Sequence, residues 1–297
     1  MTTSTRERDA KTESGLKRDI LVRPFLKWAG GKRRLLSKIR EYVPSDYNIY
    51  FEPFVGAAAV LLDLRPQTAL INDANKELIN CYRVVKENPE KLIIDAKQHP
   101  NTKKHFYQLR AVDREPNFTE LSDVERASRI LFLNKTCFNG LFRVNSRGHF
   151  NVPYSKYSKP RIVDEVAIRA VSRYFNTAGI EMSSEDFEDA LSGAADGDFI
   201  YLDPPYDPVS DTSSFTGYNL PSFDRDEQRR LKSVCDDLTR RGCKILLSNS
   251  STDFIRNLYR NERRYTIVEV KANRNINSVG TGRGKIKELL IFNNYKI

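Results

Sequence analysis

An apolar run that ends in an acid and two prolines, Phe199-Ile200-Tyr201-Leu202-Asp203-Pro204-Pro205-Tyr206, leaves this chain few ways to fold. Residues apolar at successive positions bury both faces of a strand, as in a parallel sheet covered by helices on each side. Each proline fixes φ at about −65° and lacks an N–H, so neither strand nor helix continues through Pro204 and Pro205. The acid is thereby delivered at the carboxyl end of a strand, where open α/β sheets hold their ligands. The carbonyls beside Asp203 and Pro204 are held rigidly, and the ring of Tyr206 closes the segment. A strand that merely stops pairing would need only the prolines. An acid and a tyrosine this close to them favour a site.

The rest of the chain supplies the other strands. Short apolar runs predict strands over 48–53, 69–72, 199–203, 244–248, 265–270 and 288–293. Helical patterns fall over 33–42, 57–64, 76–87, 123–133, 164–175 and 226–241. Their alternation predicts an α/β sheet. Between about 75 and 164 the alternation stops and helix gives way to an irregular basic loop, which predicts an insertion into the sheet domain. The expected organisation is a flexible tail (1–22), a sheet domain in two pieces (23–74 and 165–297) and the insertion (75–164). The polar stretch 207–223, directly after a strand, is expected to act as a lid or to touch substrate.

A second strand end carries Tyr50-Phe51-Glu52-Pro53-Phe54-Val55-Gly56-Ala57-Ala58-Ala59. One glycine and three small residues open a helix, letting a ligand approach the backbone. Seventeen residues beyond Gly56, Asp73 ends the next strand, where an acid can accept from both hydroxyls of a ribose. The pair predicts an adenosine-containing cofactor. The glycines of a dinucleotide-binding G-x-G-x-x-G turn are missing, which disfavours a nicotinamide oxidoreductase.

The chain carries 49 Lys+Arg against 39 Asp+Glu, a formal charge of +10, and the surplus is concentrated. From Arg126 to Arg161 there are eight basic residues, six aromatic ones and no acid; a second basic knot spans 27–34. Cations that release counterions from phosphates, beside rings able to stack on bases, predict nucleic-acid contact. A solvated face with buried rings is the plainer alternative. The four cysteines and three histidines lack the spacing of a zinc site, so no metal is expected. No run of 18 apolar residues occurs, so no membrane span is expected and a cytoplasmic protein is.

An exocyclic base amine delocalises its lone pair into the ring and is a poor nucleophile. A carboxylate and a rigid carbonyl can grip its two N–H groups and favour the positive charge that develops on nitrogen. Asp203, Pro204 and the fixed turn at Pro205 offer that pair, and Tyr206 a flat face for the base. With Phe54-Val55-Gly56 upstream, Asp203-Pro204-Pro205-Tyr206 resembles the signature pair of amino-group DNA methyltransferases. Four further stretches, 25–32, 71–75, 139–143 and 150–154, resemble the Dam-type, α-group adenine-N6 DNA methyltransferases. The resemblance covers about 23–295.

It implies a Rossmann-like S-adenosylmethionine methyltransferase sheet, mostly parallel with an antiparallel edge strand, and an inserted, mainly helical DNA-recognition domain. It further implies methyl transfer from S-adenosylmethionine to N6 of a flipped adenine in double-stranded DNA, with GATC the expected site. By matching positions, Trp28, Lys32, Phe54, Gly56, Asp73 and Asp203 would surround the cofactor. Phe138 and Asn139 would enter or support the opened base stack, and Arg143 would read guanine. Leu141 and Pro153 would touch thymine methyls, while Lys27, Asn151 and Tyr157 would make further DNA contacts. A monomer is expected, and the resemblance leaves room for a cognate restriction endonuclease. One departure stands out: Ala58 occupies a position where the family usually has glycine, and its methyl is expected to intrude there, alanine being small enough for cofactor binding to survive. A cytosine-N4 methyltransferase, a protein-glutamine or RNA methyltransferase, and a binding module without catalysis remain rival readings.

Overall fold

The computed structural model describes residues 21–208, 223–260, 264–273 and 285–297. All but the last two residues of the expected tail over 1–22 and nearly all of the expected lid over 207–223 lie outside the described residues. Seven strands form one sheet: β1 (Tyr50–Glu52), β2 (Thr68–Asn72), β3 (Gly179–Ser183), β4 (Phe199–Leu202), β5 (Lys244–Ser250), β6 (Tyr265–Asn273) and β7 (Lys285–Asn293). Their order is β3-β2-β1-β4-β5-β7-β6. The first five run parallel, with Phe51 opposite both Leu70 and Ile200. β7 runs against β5 and β6, placing Ile291 between Leu247 and Ile267. The antiparallel pairing therefore lies at this edge of the sheet, with β6 outermost.

The chain runs outward from β1 to β3 and then returns to the other side of β1 as β4. That reversal makes β1 and β4 the topological switch point, the place where α/β sheets bind ligands beyond their carboxyl ends. Glu52 ends β1, and Asp203 follows β4 directly.

Period-two alternation divides the two central strands between two cores. Tyr50, Phe199 and Tyr201 join the cluster with α2 (Ala59–Leu64), α3 (Lys76–Glu87) and α7 (Glu165–Thr177). Phe51, Ile200 and Leu202 face the other way, toward α9 (Arg225–Arg240) and α10 (Asp253–Arg260). The first cluster extends into α4 (Pro89–Lys97) and α6 (Asp123–Thr136). A third, smaller cluster of Phe106, Phe132, Leu133, Cys137, Phe150 and Val152 holds the basic loop against α5 (Lys103–Ala111) and α6. Two further short helices complete the set, α1 (Leu36–Arg40) and α8 (Phe187–Ala190).

Helix starts follow local chemistry. Asn75 Oδ1 accepts from the N–H groups of Glu77 and Leu78, both at 3.1 Å, and Ser122 and Glu125 close a reciprocal box at the start of α6. All six predicted strands are present. β3, α4, α5, α8 and α10 have no counterpart among the predicted elements.

Candidate active site

Asp203 sits at the switch point with its Oδ1 gripped by two donors. Lys32 Nζ lies 2.7 Å from it, and Ser248 Oγ donates from 2.9 Å. Lys32 is 5% exposed; its ammonium also donates to the Gly30 carbonyl at 2.8 Å and stands 4.6 Å from the centre of the Tyr206 ring. Tyr206 is fixed in turn by its hydroxyl, which donates to Glu288 Oε2 at 2.8 Å. Burial raises the Asp203 carboxyl above the usual carboxylate range, while the Lys32 ammonium and the Ser248 hydroxyl pull it back. Gln228 Nε2 donates to the Pro205 carbonyl at 2.8 Å and locks the turn. The Pro204 carbonyl accepts from no donor among the described residues.

A narrow cleft opens beside this carboxylate, lined by the 29–32 loop, Glu52, the 55–57 turn, Ala59, Val60 and Asp203. Glu52 is 2% exposed, and one of its oxygens accepts from the Tyr50 hydroxyl at 2.8 Å and from the Leu61 N–H at 3.0 Å. Burial pushes its carboxyl up to about 8. Gly56 has φ of +46°, and a Cβ there would come within 3.1 Å of the Trp28 ring, so the turn requires glycine. Its N–H donates to Asp73 Oδ2 at 3.1 Å, and the Asn75 N–H donates to Asp73 Oδ1 at 2.9 Å. Burial raises Asp73 as well.

Of the expected cofactor residues, Lys32, Gly56 and Asp203 line the cleft. Trp28 and Asp73 stand just behind it, both against Gly56, whereas Phe54 is not among its lining residues. Trp28 stacks on Phe142 at 5.2 Å, and Phe54 packs on Phe187 and Phe223. One expectation is corrected. Ala58 does not intrude on the cleft: it has φ of +55°, is fully buried, and turns its methyl into the core while Ala57 and Ala59 face the space.

The basic loop is built as a platform. Val144 bridges to Phe150 across the turn at 145–149, and Arg143 Nε donates to Asn151 Oδ1 at 2.6 Å. Phe138 is 46% exposed, an unusual setting for a phenylalanine, and Pro153 is exposed beside it, its carbonyl accepting the Phe138 N–H at 2.9 Å. Leu141 is half-buried against the small core. Asn139 and Gly140 both adopt positive φ; a Cβ on Gly140 would strike Lys27 at 2.5 Å. The Lys27 ammonium lies 5.0 Å above the Tyr157 ring. Part of the plainer alternative also holds. Arg129 is buried against Asp113, Arg126 pairs with Glu77, and the rings of Phe132 and Phe150 are buried.

Four residues of these networks were not singled out from sequence: Glu52, Ser248, Glu288 and Asn134. Glu52 is an acid beside two buried aromatics at the end of β1, and that mismatch is the signal that could have found it; Ser248 and Glu288 lie in strands that carry other polar residues and leave no such signal. Asn134 is a buried polar residue on α6. Its amide exchanges hydrogen bonds with the Lys27 backbone at 2.8 and 2.7 Å and donates to the Gly140 carbonyl at 3.0 Å. It thus stitches the N-terminal loop to the platform. Among the described residues no cluster of three or more metal-ligating side chains occurs, and no helix is long and apolar enough to cross a membrane.

The chain belongs to the D12 class N6 adenine-specific DNA methyltransferase family, whose profile matches residues 28–276. It is 45% identical over 279 residues to the type II methyltransferase M1.LlaDCHI of Lactococcus lactis subsp. cremoris, covering 93% of this chain and 97% of that protein. It is 40% identical over 291 residues to the type II methyltransferase M.MjaIII of Methanocaldococcus jannaschii, covering 92% and 99%. The DNA adenine methylase of Escherichia coli K12 is 34% identical over 277 residues, covering 90% and 94%. Among solved structures, a precorrin 8W decarboxylase of Methanobacterium thermoautotrophicum overlays 88% of this chain at a TM-score of 0.37 and 10% identity, too loose a likeness to argue from.

Proposed function

We propose that this methyltransferase acts on N6 of an adenine flipped out of double-stranded DNA, with S-adenosylmethionine as methyl donor and GATC as its site. The observation that carries the reading is the pairing, at one strand end, of a fixed carboxylate with a rigid carbonyl that has no donor among the described residues. Asp203 and the Pro204 carbonyl accept the two N–H groups of the amine and favour the charge that develops on nitrogen. Tyr206, held by Glu288, gives the base a flat partner. Alignment of the reacting groups supplies most of the acceleration, of order 7–11 kcal/mol in favourable systems. The proton released from the methylated amine passes to water, and no covalent enzyme intermediate is involved.

The cleft suits the cofactor on its own chemistry. Asp203 lines it and Asp73 stands behind it, fitting a ligand that carries a sulfonium and a ribose, and the 55–59 turn offers only small side chains around Gly56. When bound, S-adenosylmethionine supplies an electrophilic methyl group. Asp73 would hold the ribose hydroxyls through the lone pairs its two backbone bonds leave free, with Trp28, Lys32, Phe54 and Gly56 completing the enclosure.

On the platform (75–164 as the recognition domain), Arg143 reads guanine O6 and N7, a task suited to its planar fork. Phe138, supported by Asn139, wedges into the stack the adenine leaves. Leu141 and Pro153 meet thymine methyls, and Lys27, Asn151 and Tyr157 add contacts. The enzyme works as a cytoplasmic monomer, alone or beside a restriction endonuclease of the same site. The test is incubation with labelled S-adenosylmethionine and plasmid DNA free of prior methylation, followed by nucleoside analysis. Label in N6-methyladenine within GATC is the expected product; label in N4-methylcytosine, in protein or nowhere overturns the reading.

A further inference from the structure

Lys32 makes two of the three contacts expected of the substrate's amine, to Asp203 and to the face of Tyr206, and gives its remaining bond to the Gly30 carbonyl in place of that of Pro204. Its ammonium lies 2.7 Å from Asp203 Oδ1, donates to a backbone carbonyl at Gly30 and covers the face of Tyr206 at 4.6 Å. With Ser248 donating to the same oxygen, Asp203 Oδ1 is already saturated. A base stacked on Tyr206 with its amine at Asp203 would need the volume that the ammonium fills. Lys32 is also buried, so it cannot be serving a DNA phosphate from where it stands.

We infer that Lys32 is an internal stand-in for the target amine: it holds the Asp203 site closed, and the adenine enters by displacing it. This rests on the proposed adenine chemistry and adds a gate to it. A lysine suits the task because its ammonium opposes the upward pull of burial on Asp203 and stays engaged with it until the exchange, so the site never presents an unpaired buried carboxylate. The displaced ammonium retains the Gly30 carbonyl and has a second acid, Glu52, lining the same cleft. A base without an exocyclic amine, such as thymine or unsubstituted purine, has no NH2 group to take the place of the ammonium at Asp203, so the exchange itself discriminates against it.

The test has three arms. Wild-type enzyme must first methylate adenine in plasmid DNA; failure there sinks the proposed function rather than this gate. Next, Lys32→Met is compared with wild type for binding of a duplex containing the site, at alkaline pH where Asp203 is ionised. Removing an internal competitor tightens binding by about fivefold or more, because less of the enzyme is in the closed form. Removing an ordinary DNA-contacting lysine would loosen it. The acid limb of the pH–rate profile should also move to higher pH, since the carboxyl has lost its neighbouring cation, and Lys32→Arg should restore it. Unchanged or weaker binding with an unmoved limb refutes the gate. Finally, without any substitution, the side-chain resonance of nitrogen-labelled Lys32 should shift on binding a duplex with adenine at the target. It should not shift with the same duplex bearing purine, which lacks the amine. Identical responses to both refute the exchange.

Discussion

At Asp203 the reading needs a carboxylate and not merely a filled space. Asp203→Ala is expected to abolish methylation, with binding of site-containing duplex kept within a few fold by gel shift; normal turnover in that variant would remove its central role. Ala58 offers a second test, in which magnitudes decide the sign. Relief of left-handed strain in Ala58→Gly is worth about 1–2 kcal/mol. Against it stand about 0.8 kcal/mol of lost methyl burial and the greater freedom of glycine in the unfolded chain, worth about 0.4–1 kcal/mol. The balance is within about 1 kcal/mol of neutral by denaturant unfolding, and cofactor affinity should not change, because the methyl faces the core. A third test concerns Glu52. Its carboxyl is raised from the ordinary value of 4.5 to about 8, so between those values the folded protein holds a proton the unfolded chain has released. Its contribution to stability is complete below 4.5 and is lost as pH climbs toward 8. Glu52→Gln keeps an acceptor for Tyr50 and Leu61 and removes the titration. Its melting temperature should therefore fall less across that range, and parallel curves would show that Glu52 does not titrate there.

Among the elements, the strands that could be read from sequence are those buried on both faces, such as β4 with its four buried residues. β3 escaped because it is a sheet edge: only Ile180 in Gly179–Ser183 is fully buried, so no apolar run marks it. The same asymmetry applies to the site. Asp203, Gly56 and Asp73 stood out because strand ends and turns carry local chemistry. Ser248 and Glu288 reach the site only through pairing of β5 and β7 with distant strands, which local pattern does not encode. The hairpin around 143–151 makes its own prediction. Arg143→Ala should cost on the order of 1–3 kcal/mol of discrimination at one guanine. Asn151→Ala should lose part of the same discrimination, since its side chain holds the Arg143 fork in place. Competition binding against site variants at that base pair measures both, and an unchanged preference would remove Arg143 from the reading role.

The molecule as a whole carries its surplus of ten positive charges unevenly, and structure divides that surplus by task. Arg126 and Arg129 are committed to internal acids, whereas Arg147, Lys156 and Lys159 are exposed on the platform. Converting Lys156 and Lys159 together to alanine should weaken binding to all duplexes alike and lower the slope of log affinity against log salt by about 2. A loss confined to one sequence would contradict a phosphate role. Composition disclosed the total charge and roughly where it lay, but not which arginines were already spoken for.

The stitch made by Asn134 has a consequence for how such an enzyme can change its target. Four residues separate Lys27, which faces the platform, from Lys32, which reaches Asp203, and the amide of Asn134 clamps the first of them on both its N–H and its carbonyl. Any shift of the backbone at 27 to suit a new sequence would be transmitted along that short span to the reacting carboxylate. Variation that redirects the enzyme without crippling it therefore has to gather in the hairpin from 143 to 153, which can be redrawn while the stitched end stays still.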